Sequence, residues 1–143
     1  MDLKLRGRRA LVTGGTRGLG RGIVARLVEE GCAVSLCARD ADAVETAVAE
    51  LGAAHGAAVD VTDDGELRRY VDEAAERLGG LDLVVANAGG SAGSASFADA
   101  EGDDWRATFG LNAVHAAVVV RAALPHLRAS DAAIEISAAL AAA

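Results

Sequence analysis

The apolar run Arg9-Ala10-Leu11-Val12-Thr13 passes directly into Gly14-Gly15-Thr16-Arg17-Gly18-Leu19-Gly20. Ile23, Val24, Leu27 and Val28 then follow at helical spacing. No other feature constrains the fold as much. A short apolar run stopped by glycine reads as a buried strand. Apolar residues three and four apart read as one face of a helix. The chain therefore opens with a strand, a tight glycine turn and a helix, and Gly31 marks the helix end.

The same alternation continues along the chain. Residues 33–38 form a second apolar run. A helix is expected over 40–51, with Asp40 as its cap and Val44, Val48 and Leu51 on one face; Gly52 closes it. A third strand is expected over 57–61. The next helix is capped by Thr62 or Asp63 and runs to Leu78, with Leu67, Val71, Ala74 and Leu78 inward. A fourth strand is expected over 81–86, followed by a Gly/Ala/Ser loop over 87–102. A long helix capped by Asp103 or Asp104 reaches Leu124 or beyond. A fifth strand over 132–137 precedes an Ala-rich tail. Strands joined by helices give a parallel sheet covered on both faces, and right-handed crossovers leave few topologies. The expected fold class is α/β: a doubly wound parallel sheet (Rossmann fold) of about five strands in the order 3-2-1-4-5, within a single domain over 1–143.

Composition narrows the partners. The chain is 52% hydrophobic and 24% charged, which is globular, but only 3% aromatic, so its core must be Val, Leu, Ile and Ala. The net charge is −7 and no Lys/Arg cluster offsets it, which argues against nucleic acid and anionic membranes. The apolar runs read as too short to span a bilayer, and the first residues do not read as a signal peptide. Cys32 and Cys37 suit neither a disulfide framework nor a zinc site and read as small core residues of a cytoplasmic protein. No metal site is expected.

Gly14, Gly18 and Gly20 each have a physical task in the turn. A tight turn needs φ freedom, a phosphate reaches backbone N–H groups only where no Cβ intervenes, and close helix–strand packing needs a tiny residue. Phosphates would lie on the helix N-terminus, where free N–H groups and the dipole favour anions. The backbone of Gly14, Thr16, Arg17, Gly18, Leu19 and Gly20 is thus a pyrophosphate cradle.

The spacing Thr-Gly-x-x-x-Gly-x-Gly resembles the fingerprint of the short-chain dehydrogenase/reductase family, and the resemblance continues in order along nearly the whole chain. Asp60-Val61 looks like the family's adenine-contacting pair. Asn87-Ala88-Gly89 looks like the Asn-Ala-Gly that steadies the sheet and flanks the cofactor. Asn112 looks like the active-site Asn. The resemblance implies a nicotinamide cofactor and hydride transfer to or from a small carbonyl or alcohol substrate. It also implies a homo-oligomer built on the long fourth helix, which is apolar nearly all round.

The cofactor can be refined from charge. An acidic residue at the end of the second strand would bind a ribose 2′-OH. Here Ala38 is followed by Arg39, and Arg17 lies in the turn. Two guanidinium groups would grip a 2′-phosphate, so NADP(H) is expected over NAD(H). In the alternative, Asp40 serves the ribose and Arg39 is a solvated surface residue.

The resemblance also shows what this sequence lacks. The family's general acid/base is a Tyr with a Lys four residues later. The only Tyr here is Tyr70, in the third helix, and the only Lys is Lys4, before the first strand. A Tyr with an ordinary pKa of about 10 needs such help near neutrality. The family's Ser falls at Ala138; Ser137 is one residue early, and a one-residue slip turns a strand side chain to the opposite face. Glu135 is an unusual charge for a central strand. The chain is expected to be incomplete, with the last part of the family fold missing, and inactive alone. A non-catalytic NADP-binding or interaction protein, or a fragment without function, remains the alternative.

Smaller features have plainer readings. His55, His115 and His126 show no ligand spacing, and His115 reads as a packed helix residue. Tyr70, Trp105 and Phe109 read as packing residues. Ser91 and Ser94 lie in a loop beside the site, and the acidic stretch 99–104 reads as a solvated loop and cap.

Overall fold

The alternation of strand and helix is realised in the computed structural model, which describes residues 3–94 and 96–131 and the backbone of 134–137. The elements are β1 (Arg9–Thr13), α1 (Gly18–Glu29), β2 (Ala33–Ala38), α2 (Ala41–Leu51), β3 (His55–Ala58), α3 (Asp64–Leu78), β4 (Leu83–Ala86), α4 (Gly102–Phe109), a π-helical segment (Gly110–Val114), α5 (His115–Arg128) and β5 (Ile134–Ser137). The five strands are all parallel, in the order β3-β2-β1-β4-β5. This is the expected doubly wound order.

Both faces of the sheet are apolar because helices cover both. Successive β1 residues alternate between them. Leu11 packs with Leu67, Val71, Val84 and Val119 beneath α3 and α5. Ala10 and Val12 pack with Val24, Leu27, Leu36 and Val44 beneath α1 and α2. Leu11, Leu36 and Leu67 are fully buried, and each such side chain stabilises the fold by about 2 kcal/mol. Tyr70 is buried as a packing residue, and its hydroxyl meets Ser35 Oγ at 2.9 Å. Cys32 and Cys37 are buried free thiols.

Caps follow the sequence in α2 and α3. Asp40 accepts from Asp42 N and Ala43 N, and Asp63 accepts from Glu66 N. Gly52 and Gly79 close these helices in the left-handed conformation, which glycine alone adopts freely. In α4 the N-cap is Glu101 rather than Asp103 or Asp104; Asp104 serves from inside, accepting Glu101 N at 2.9 Å.

Several boundaries differ from expectation for physical reasons. The strand expected over 57–61 lies at His55–Ala58, paired from Ser35↔His55 to Ala38↔Ala58. Val59 and Val61 are buried beyond its end, which imitates strand alternation. β4 begins at Leu83 rather than residue 81, because the Asp82 carboxylate is engaged by Arg9. β5 is described over Ile134–Ser137, and residues 132 and 133 of the expected strand lie outside the described residues. Pro125 lies within α5, which reaches Arg128.

The expected long helix runs from Gly102 to Arg128. Its 27 residues form one helix long and apolar enough, by length and composition alone, to cross a membrane. In sequence the apolar runs alone read as too short for that, whereas the helix extends beyond any one run. Its Ala116, Val119, Ala123 and Leu127 are buried against the sheet and α3, as in a core helix. The π segment was not anticipated. Nor do Trp105 and Phe109 pack as expected: they are 49% and 64% exposed, and Trp105 meets Phe97 edge to face at 5.5 Å.

Candidate cofactor site

The C-terminal ends of β1 and β4 are stitched together where the glycine turn begins. Thr13 Oγ1 accepts Asn87 N and Ala88 N, both at 3.0 Å. Asn87 Nδ2 returns the contact, donating to the Thr13 and Gly14 carbonyls at 3.1 Å each. Gly14 N and Gly15 N donate to Cys37 O at 2.9 and 3.1 Å, which fixes the turn to β2. Gly14 has φ +68, and a Cβ there would lie 2.9 Å from Ala88 Cα. A Cβ on Gly20 would collide with the Gly14 carbonyl and Asn87 Nδ2. Glycine is therefore a packing requirement at both ends of the turn.

Gly18 differs. Its φ is +53, and a Cβ there would meet no protein atom within 4 Å. It opens α1, whose N-cap Arg17 supplies no side-chain cap and whose first turn holds no acidic residue. The N-terminal N–H groups thus face open space with no carboxylate to compete for them.

Around this turn lies a cavity of 610 Å³. Gly14, Thr16, Arg17, Gly18, Leu19, Gly20, Arg39, Asp60, Val61, Asn87, Ala88 and Gly89 all line it. Every residue that the sequence proposed for cofactor binding is brought to one place by the strand order. Sequence reasoning missed Ala38, Val59, Thr62, Ala92, Ala107, Gly110 and Leu111, which line it too. Ala38 and Val59 were foreseeable as strand-end neighbours of Arg39 and Asp60. Ala107, Gly110 and Leu111 arrive from the long helix by tertiary approach, and nothing local marks them.

Asp60 Oδ1 accepts Thr62 Oγ1 at 2.7 Å and Thr62 N at 2.9 Å. These bonds, with Arg39 nearby, hold its carboxyl below the usual range. Asp40 does not line the cavity; its Oδ1 accepts from Asp42 N and Ala43 N at 3.0 and 3.1 Å at the start of α2.

Asn112 lies in the π segment and does not line the cavity. Its Nδ2 donates to Gly90 O at 2.6 Å and Thr108 O at 2.7 Å, and its Oδ1 accepts Gly90 N at 3.1 Å. Both amide hydrogens are thereby used, and the side chain ties the loop after β4 to the helix. Ser91 and Ser94 stand outside the lining, where Ala92 is the loop's contribution. Ser137 pairs through its backbone with Ala86; Ala138 lies outside the described residues. Tyr70 and Lys4 do not line the cavity. Among the described residues, no His, Cys, Asp or Glu cluster is arranged to hold a metal.

Known proteins are similar to this chain in sequence and fold. The model of the family described as short chain dehydrogenase matches residues 8–140. Isoepoxydon dehydrogenase of Penicillium expansum is 35% identical over 133 residues, covering 88% of this chain and 49% of its own length. A putative short-chain type dehydrogenase/reductase of Mycolicibacterium smegmatis is 37% identical over 141 residues, covering 87% and 50%. The crystal structure of a short chain dehydrogenase from Burkholderia cenocepacia in complex with NADP superposes with a TM-score of 0.79 at 38% identity, covering 86% of this chain and 52% of that one. The chain spans about half the length of these relatives. With its ordered motifs, its sheet order and a family match over most of its length, the chain belongs to the short chain dehydrogenase family.

Proposed function

We propose that this chain holds NADP(H) as the cofactor-binding part of a short-chain oxidoreductase. The observation that carries the choice of cofactor is the disposition of charge at the β2 end. Arg39 and Arg17 both line the cavity, while Asp40 turns away to cap α2. Two guanidinium groups favour a 2′-phosphate through charge-assisted, forked bonds. The chain itself fits a dinucleotide: Gly18 leaves room over uncapped N–H groups at the start of α1, and Val59, Val61 and Leu111 offer an apolar wall. The relative from Burkholderia, solved with NADP, supports the same reading.

When bound, the nicotinamide supplies the hydride; this chain's residues bind and orient it. Asp60 and Val61 would contact the adenine, as the family resemblance implies, and Asn87, Ala88 and Gly89 would flank the cofactor near the β4 end; all five line the cavity. Asn112 shapes the loop through Gly90. The substrate class we propose is a small carbonyl or alcohol, in keeping with relatives named 2-dehydro-3-deoxy-L-rhamnonate dehydrogenase (NAD(+)) and L-fucose dehydrogenase. This sequence carries no Tyr-x-x-x-Lys, and Tyr70 is buried in α3, so we propose that residues 1–143 alone bind the cofactor without turning over ketones. Ser137 is a candidate for orienting substrate, one residue before the family's serine position, which is Ala138 here. The protein is proposed to be cytoplasmic and to have neither nucleic acid nor membrane as its main partner. The groove formed by Phe109, Ala113, Val114, Ala117 and Val118, flanked by Arg68 and Arg121, is proposed to pair with a second copy, which sedimentation at rising concentration tests.

Titration with NADPH and NADH at fixed ionic strength tests the cofactor. Tighter NADPH is expected; equal affinity or tighter NADH overturns the choice. A non-catalytic NADP-binding or interaction role is the second reading, which the same cavity and its two arginines would serve. It would gain if a protein containing this sequence bound NADPH but reduced no carbonyl substrate.

A further inference from the structure

His115 is almost wholly buried, at 1% exposure, on the helix that faces the cofactor cavity. Its two ring nitrogens have fixed partners. Nδ1 lies 2.6 Å from the Leu111 carbonyl, and Nε2 lies 3.2 Å from Thr13 Oγ1. A carbonyl only accepts, so Nδ1 carries the hydrogen. The neutral ring then presents a lone pair at Nε2, and Thr13 must donate to it. Burial favours this neutral ring, holding the imidazole below its ordinary pKa against the opposing pull of the Leu111 carbonyl.

The Thr13 hydroxyl has one hydrogen and two acceptor positions. Asn87 N and Ala88 N take the two acceptor positions; His115 takes the hydrogen. The group is then saturated, and its orientation is determined. Without an acceptor at residue 115, the hydroxyl hydrogen would lose this partner, and the hydroxyl would be free to rotate its lone pairs away from the two amides. The π segment makes the arrangement accessible. His115 N donates to Gly110 O, five residues back. The ring therefore takes the Leu111 carbonyl, which in an α-helix His115 N itself would take.

We infer that His115 is a positioning residue for the cofactor cradle: its Nε2 orients the Thr13 hydroxyl, which holds the backbone of Asn87 and Ala88 against the glycine turn. The network runs from His115 through Thr13 to Asn87, whose side chain closes on the Gly14 carbonyl. Its consequence for affinity rests on the NADP(H) reading above, while the network itself does not.

The test combines ¹⁵N NMR with NADPH titration on the whole chain. In the unliganded protein, His115 should show the Nδ1–H tautomer; an Nε2–H tautomer overturns the proposal and needs no variant. His115→Leu should shift the Asn87 and Ala88 amide resonances and weaken NADPH by about 5–10-fold, the scale of one hydrogen bond. His115→Gln, which keeps an acceptor, should recover most of that loss, and Thr13→Ser should bind like the parent. Thr13→Val and the Thr13→Val, His115→Leu double variant should agree within about twofold, because residues sharing one bond are not additive. Unmoved amides, or losses that multiply in the double variant, overturn the proposal. If the parent binds neither NADPH nor NADH, the cofactor reading falls, and the tautomer and amide shifts still decide the role of His115.

Discussion

Asp82 takes three donors from Arg9: backbone N at 2.8 Å and Nε at 2.9 Å on Oδ2, and Nη2 at 2.8 Å on Oδ1. Ser130 Oγ adds a fourth at 2.6 Å. The pair joins the entry ends of β1 and β4 to the segment after α5, with the Asp82 side chain only 2% exposed. The Arg9 bond, opposed by burial and aided by Ser130, holds the carboxyl well below the usual carboxylate range. Asp82→Asn should therefore cost about 3 kcal/mol of unfolding free energy at pH 7, because Arg9 loses a buried partner. A carboxyl depressed on folding contributes stability that is complete above its unfolded value and lost as pH falls through the folded one. The gap between parent and variant in urea unfolding should thus be constant from pH 8 to pH 5 and shrink below about pH 4. A gap that persists undiminished at pH 2 would show that the charge is not its source.

Arg39 is exposed and lines the cavity beside Ala38. Arg39→Asp replaces a cation by the carboxylate that would prefer a ribose 2′-OH. NADPH affinity should fall by about 10–100-fold, and NADH should become the tighter ligand. Folding stability should change by no more than about 0.5 kcal/mol, as for most surface substitutions. Fluorescence titration with each cofactor reads the first, and thermal unfolding the second. An unchanged NADPH/NADH ratio would place the discriminating contact elsewhere, with Arg17 next in line.

The parts of this fold that were legible in sequence are those whose signals are local. β1, β2 and α2 carry apolar runs, a cap at Asp40 and a stop at Gly52, and each element lies where those residues place it. β3 is different. His55-Gly56-Ala57-Ala58 has almost no strand propensity, and its pairing is imposed by β2 and by the Ser35–His55 contact at 2.9 Å. The glycine turn, Asp60 and Asn87 were legible as site residues because each sits at a strand end with a fixed chemical task. The π segment was not, since apolar spacing on a helix does not register one extra residue in a turn. Phe109 and Trp105 read as packing residues from their spacing, yet that face of α4 has no neighbour among the described residues that buries them.

Cys37 is fully buried beneath the glycine turn, and burial pushes its thiol up to about 12. Cys32 is also raised, first by burial and then by Glu30 and Asp82. The thiolate is the reactive form, so neither residue should react with a thiol reagent at pH 8 while the protein is folded. Both should label together on unfolding in urea, at the rate of loss of far-UV circular dichroism. Rapid stoichiometric labelling of Cys37 in the folded state would contradict the burial argument.

Gly18 and Gly20 stand two residues apart and should fail in different ways. At Gly20 a methyl group meets the Gly14 carbonyl and Asn87 Nδ2. Both belong to the stitched junction of β1 and β4, so neither can retreat without breaking it. Gly20→Ala should cost about 3 kcal/mol of stability and abolish NADPH binding with it. At Gly18 a methyl group meets nothing in the protein. Gly18→Ala pays only the left-handed backbone at φ +53, about 1 kcal/mol, and the variant should fold. Its methyl group would stand over the uncapped start of α1, where the phosphates are proposed to lie, so NADPH affinity should drop by about tenfold or more with the fold intact. Urea midpoints beside NADPH titrations separate the two. If Gly18→Ala bound NADPH as tightly as the parent, the phosphate cradle would have to be moved away from the N-terminus of α1.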